Sequence, residues 1–218
     1  GLDDGPSHLS QLRLDEIRLP PPFDRHGLGT VATLQGATAE ALRDHFTTSA
    51  TPGGMILAAS GAVDHDVLEA FLLNALDGME GETTVPTPRG DVTGGSITLD
   101  RATSQSHLSM GFNAPIAADK DMIAFQLAAA ILGGGASSRL FSVVREQQGL
   151  AYSIGGRYEG GRSIGAFTIN AGTTPERMGT TLEAIKSVLD GFPESITDEE
   201  VTLIRTQVRS GALMQLEH

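Results

Sequence analysis

Beyond residue 94, glycines cut the chain into short segments that come in like pairs, and this pairing limits the folds open to it. Ser96 to Asp100 and Ser106 to Phe112 alternate apolar and polar residues and predict neighbouring strands. Asp119 to Leu132 predicts a helix ended by Gly133, Gly134 and Gly135. Ser137 is placed to cap a second helix that runs to Gln148 and stops at Gly149. Ala151 to Tyr158 and Ile164 to Ala171 predict a hairpin with Gly160 and Gly161 at its tip. Thr174, Pro175 and Glu176 give a cap, a first-position proline and a first-turn acid. They open a helix that presents Leu182, Ile185 and Leu189 and ends at Gly191. Thr197 and Glu200 form a capping box for a last helix. Strand–strand–helix–helix, twice over, argues for an α+β fold: a largely antiparallel sheet with helices packed on one face.

The first 36 residues are weakly patterned, and Pro20, Pro21 and Pro22 predict an extended segment wrapping the surface. Thr38 caps a helix from Ala39 to Thr47, and Met55 to Ala59 is a short apolar run suited to a buried strand. Asp64 caps a helix whose inner face is expected to be Val67, Leu68, Phe71, Leu72 and Leu76, with Gly78 at its end. Residues 79–94 are rich in Gly, Pro and Thr and read as a linker. The expected division is therefore 1–85, 86–215 and a tag remnant at 216–218, where Leu216, Glu217 and His218 resemble the start of a vector-encoded His-tag. The chain starts with Gly rather than Met, and both ends are expected to be cut ends.

Composition removes several function classes. There are 27 acidic and 15 basic residues, a net charge of -12, and no basic face for nucleic acid. No apolar run approaches the roughly 20 residues of a membrane-spanning helix, so no membrane partner is expected. Cys is absent, which removes disulfides, thiolate metal sites and cysteine nucleophiles together.

Three motifs bear on chemistry. Leu132-Gly-Gly-Gly-Ala-Ser-Ser-Arg-Leu-Phe141 invites a phosphate-loop reading, but it lacks the Lys after the last Gly and a preceding strand. A helix–helix corner accounts for it as well. His65 and Glu69 share a helix face and suit a metal, or else a solvated acidic first turn. Arg145, in the last turns before Gly149, and Tyr152, at the start of the next strand, flank one corner. Together they have the donors to hold carbonyl oxygens of an extended peptide. Alternatively, Arg145 satisfies helix carbonyls and Tyr152 packs on the sheet.

In order along the chain, the Gly-rich corner, Ser-Ser-Arg-Leu-Phe141, Val-Arg-Glu146, Gly-Leu-Ala-Tyr-Ser153 and Gly-Thr-Thr-Pro-Glu176 resemble the C-terminal signature of the pitrilysin/insulinase family of zinc metallopeptidases. The resemblance extends, more weakly, over residues 25–210. It implies homologous α+β domains enclosing a chamber. In that arrangement a zinc-bearing domain carries H-x-x-E-H, and an Arg–Tyr pair from the later domain grips substrate backbone. By motif that pair corresponds to Arg145 and Tyr152, and the Gly133, Gly134, Gly135 corner shapes the chamber wall.

No H-x-x-E-H occurs in the chain. The expectation is a substrate-binding, non-catalytic part of a zinc metalloendopeptidase: no catalytic residue, metal ligand or cofactor here, and zinc in the parent or partner domain. On this reading residues 1–85 are the tail of the preceding catalytic-type domain plus linker, and 86–215 are the substrate-binding domain. The implied partners are a peptide substrate and a homologous zinc-bearing domain or subunit. The alternative is an architectural, non-peptidase subunit of the same fold pairing with a zinc-bearing partner. The strand at 55–60 is expected to fill a vacant sheet edge, within the chain or in a homo-oligomer.

Overall fold

The computed structural model describes residues 5–53, 55–82 and 85–216. Glu217 and His218, read above as tag residues, lie outside the described residues. The helices are α1 (Pro6–Arg18), α2 (Val31–Gln35), α3 (Ala39–Ser49), α4 (His65–Ala75), α5 (Met122–Gly133), α6 (Met178–Ser195) and α7 (Asp198–Leu216). The strands are β1 (Ser106–Ala114), β2 (Ser153–Gly160) and β3 (Gly165–Thr173). Residues 27–87 form one unit, and residues 5–26 with 88–216 form the other.

In the larger unit the sheet has the order β1-β3-β2, antiparallel throughout, so β3 is paired on both sides. The register sets Met110 opposite Ile169 and Phe112 opposite Phe167 on one side, and Ile154 opposite Ala171 on the other. Alternation puts these residues on one face, where they join buried residues of α5, α6 and α7, among them Leu132, Ile185 and Ile204. Phe125 of α5 meets Tyr158 at 5.3 Å and Phe167 at 6.4 Å between ring centroids. The Tyr158 hydroxyl donates to the Pro115 carbonyl at 2.8 Å, a structural use. Antiparallel strands under a layer of helices give the α+β architecture.

Two contacts fix the helices on that face. Gly133, at the end of α5, lies against Gly156 of β2, and a Cβ there would sit 2.4 Å from the Gly156 nitrogen. Only glycine lets backbone meet backbone this closely. Arg139 clamps the start of α7: its Nε and Nη2 donate to the two Glu200 carboxylate oxygens, each at 2.7 Å. Its guanidinium also reaches Ser195 at the end of α6. Glu200 in turn accepts from the Thr197 backbone N–H at 2.9 Å, completing the expected capping box.

The opposite face of the sheet, carrying Ser109, Gly111 and Asn113, receives α1 over β1. Ser10 and Ser109 hydroxyls meet at 2.8 Å, and buried Arg18 donates to the Phe112 carbonyl at 3.0 Å. Gly111 leaves room for the Arg18 stem. The sequence predicted no helix in this segment, because Pro20–Pro22 dominated the reading; Pro6 instead starts a helix that ends before the prolines.

Other expectations are corrected. Residues 96–100 join no strand, since alternation makes a strand only where a backbone partner exists, and β1 pairs with β3. Residues 55–60 form no strand either, and Ile56 is 91% exposed, so they do not complete the sheet of β1, β3 and β2. In the smaller unit Thr51 is the one buried residue among those described, and none of those described is a buried apolar residue. Of the expected inner face of α4, Leu68, Leu72 and Leu76 are half-buried, while Val67 and Phe71 are exposed. The helix opened by Pro175 begins as a 3₁₀ turn and continues as α6 through Gly191 to Ser195, because Phe192 is drawn into the core.

Gly133→Ala is expected to destabilise the chain by about 2–3 kcal/mol, because α5 and β2 must separate; thermal melting measures it. The paired guanidinium beside Glu200 holds its carboxyl down from 4.5 to about 2. A depressed folded-state pKa gives stability present above pH 4.5 and lost as the pH falls toward 2. The stability advantage over Glu200→Gln, about 1 kcal/mol at neutral pH, should therefore shrink through that acid window in melting curves.

Candidate functional site

The helix predicted from Ser137 to Gln148 starts at Arg139 and is wound as a π-helix from Phe141 to Gln147. The Gln148 N–H donates to the Val143 carbonyl at 3.1 Å, five residues back, and the Leu150 N–H to the Val144 carbonyl at 2.9 Å. Such winding is uncommon and clusters at functional sites. Gly149, at φ 60°, turns the chain out of it. The next residues enter the sheet, where the Tyr152 N–H donates to the Gly172 carbonyl at 2.8 Å.

This corner carries both expected binding residues. The Arg145 guanidinium lies over the Phe141 ring at 4.5 Å, and its Nε is 3.8 Å from a Glu146 carboxylate oxygen. It makes no hydrogen bond to a helix carbonyl among the described residues. Stacking on an aromatic face orients the fork of donors without consuming them. Tyr152 is 56% exposed, and its hydroxyl meets no partner among the described residues. Both present polar groups at the rim of one turn, with Glu146 as the ion-pair partner of Arg145.

Behind the corner lies a set of contacts that the sequence reading missed. The Arg177 Nη1 donates to the Gly149 carbonyl at 2.9 Å. The Thr173 hydroxyl donates to the Leu150 carbonyl at 2.6 Å, and Thr181 stands beside it. Phe141 was legible as an aromatic one helical turn before Arg145. The threonines carried no local signal, because their partner lies far away in sequence.

The glycine corner divides. Gly133 is buried against Gly156, whereas Gly134 and Gly135 are exposed, Gly135 at φ 153° with open space around its Cα. His65, Asp66 and Glu69 bring their ligand atoms within 4.8 Å of one another over the first two turns of α4. All three are exposed, as acidic groups commonly are without an ion beside them. The same helix and residues 57–63 line an apolar cleft of about 560 Å³ within the smaller unit.

Comparison with known proteins places this geometry in context. The model of the peptidase M16 inactive domain matches residues 36–208. An uncharacterized zinc protease of Rickettsia felis is 30% identical over 90% of this chain and 48% of its own length. The crystal structure of a peptidase M16 inactive domain from Pseudomonas fluorescens superposes with a TM-score of 0.85 at 22% identity, covering 95% of this chain and 52% of that one. A chain of complex III2 from Candida albicans, with Inz-5 bound, does so at 0.80 and 16% identity, covering 99% and 54%. The present chain spans about half the length of the curated relatives it matches. From the matched family model, this chain belongs to the peptidase M16 family as an inactive domain.

Proposed function

We propose that the chain is the substrate-binding, non-catalytic part of a zinc metalloendopeptidase, with Arg145 and Tyr152 gripping the backbone of an extended peptide. The observation that carries this reading is the corner itself: a stacked guanidinium and an exposed phenol, both without hydrogen-bond partners among the described residues. Arg145 supplies a fixed fork of donors to peptide carbonyls, and Tyr152 a hydroxyl that donates or accepts. The Gly133–Gly135 corner, in this reading, borders the chamber that holds the peptide. The net charge of -12 favours basic peptides at the encounter stage.

Catalysis belongs to another domain. The chain has no H-x-x-E-H, and zinc, a homologous zinc-bearing domain or subunit, and the peptide substrate are the partners proposed for it. Among the relatives, the zinc protease names support that assignment. A second reading, an architectural subunit that pairs with a zinc-bearing partner, draws on the likeness to the complex III2 chain.

The test is binding of a fluorescein-labelled, structureless basic peptide by anisotropy. Arg145→Ala should weaken it about tenfold, and Tyr152→Phe about threefold to fivefold, without changing the circular dichroism spectrum. Unaltered affinity in both variants sinks the clamp and leaves the architectural reading. The purified chain with added zinc should cleave nothing; turnover that survives removal of contaminants and is abolished by a chelator would contradict the non-catalytic assignment.

A further inference from the structure

The carbonyls of Gly149 and Leu150 belong to neither a helix nor a strand, because the π-helix ends at Gln147 and β2 begins at Ser153. Such groups must find donors elsewhere or stay unpaired. Here each one has a dedicated side chain. Gly149 accepts from Arg177 at 2.9 Å, and Leu150 accepts from Thr173 at 2.6 Å. Thr173 ends β3 and is fully buried, as is Thr181 of α6. The Thr181 hydroxyl has one proton to give; its shortest acceptor is the Arg177 carbonyl at 2.9 Å, and its oxygen lies 3.3 Å from that of Thr173. It therefore backs Thr173 and ties the start of α6, where Arg177 sits, to the same point.

The N–H groups of the corner are held as well, Gly149 by Arg145, Leu150 by Val144 and Tyr152 by Gly172. We propose that Thr173 and Arg177, supported by Thr181, are positioning residues: they lock the Gly149 and Leu150 carbonyls and so set where Arg145 and Tyr152 stand. The inference rests on the peptide-binding reading for its functional meaning, but the locking itself is measurable without a peptide. Thr173→Val keeps the shape and the packing and removes the close donor to Leu150, leaving only the Thr181 hydroxyl at 3.4 Å. The carbonyl then keeps only that long contact, from a hydroxyl whose proton is drawn to the nearer Arg177 carbonyl, and the corner relieves the loss by moving. Arg177→Gln acts on Gly149 from the surface, where folding is not at risk.

Two readouts on the full chain decide it: amide hydrogen exchange at Gly149, Leu150 and Tyr152, and anisotropy of the same labelled basic peptide. Thr173→Val should speed exchange at these three amides and weaken peptide binding about tenfold, and Thr173→Ser should restore affinity to within about twofold. Arg177→Gln should move both readouts in the same direction by about threefold. The proposal is overturned if exchange at the three amides is unchanged in Thr173→Val. If that variant fails to fold, unchanged exchange in Arg177→Gln overturns it equally. It is also overturned if exchange rises while affinity holds and Tyr152→Phe still weakens binding, for the corner then moves without consequence. If Tyr152→Phe and Arg145→Ala leave affinity intact, the peptide-binding reading is what fails, and the exchange data still judge the locking.

Discussion

The central strand β3 is the reference for the larger unit. Its hydrogen bonds to β1 on one side and β2 on the other set the register of all three strands. That register brings Phe167, Ile169 and Ala171 under the helices. The end of the same strand supplies the Gly172 carbonyl to Tyr152 and the Thr173 hydroxyl to Leu150. Core packing and the geometry of the exposed corner thus share one origin, and a slip of one residue in β3 would undo both. Buried, paired elements under an exposed turn are the usual way to make a surface site rigid.

The helices meet this sheet by two different devices. At Gly133 and Gly156 the approach is backbone against backbone, and what matters is the lack of side chains. At Arg139 it is a forked, charge-assisted contact that gathers the end of α6 and the start of α7. Neither device involves Arg145 or Tyr152. These contacts stand apart from the residues proposed to bind peptide, and a chain can keep this fold whether or not it uses them.

Much of this was legible in the sequence for physical reasons. The alternation at 106–112 and the two segments flanking Gly160 became strands because each found a paired neighbour. The same alternation at 96–100 and the apolar run at 55–59 did not, since periodicity records which face a strand would bury and not whether a partner is there. The placement of Arg145 and Tyr152 on either side of Gly149 followed from the glycine stop and the onset of the next strand. The π winding and the hydroxyl of Thr173 lay beyond it. They depend on contacts over tens of residues or on hydrogen bonds that no local pattern announces. Helix α1 was hidden because three prolines were read as a property of the whole segment rather than of its end.

The different settings of the two tyrosines have a spectroscopic consequence. The chain has no Trp, so its near-ultraviolet emission comes from Tyr152 and Tyr158 alone. The phenol of Tyr158 is tied to the Pro115 carbonyl among packed rings, whereas that of Tyr152 is open to solvent. A quencher dissolved in the buffer will reach Tyr152 more readily than the half-buried Tyr158. The intrinsic fluorescence of the unmodified protein can thus be separated into a core signal and a corner signal, giving a label-free view of whatever comes to rest on that turn.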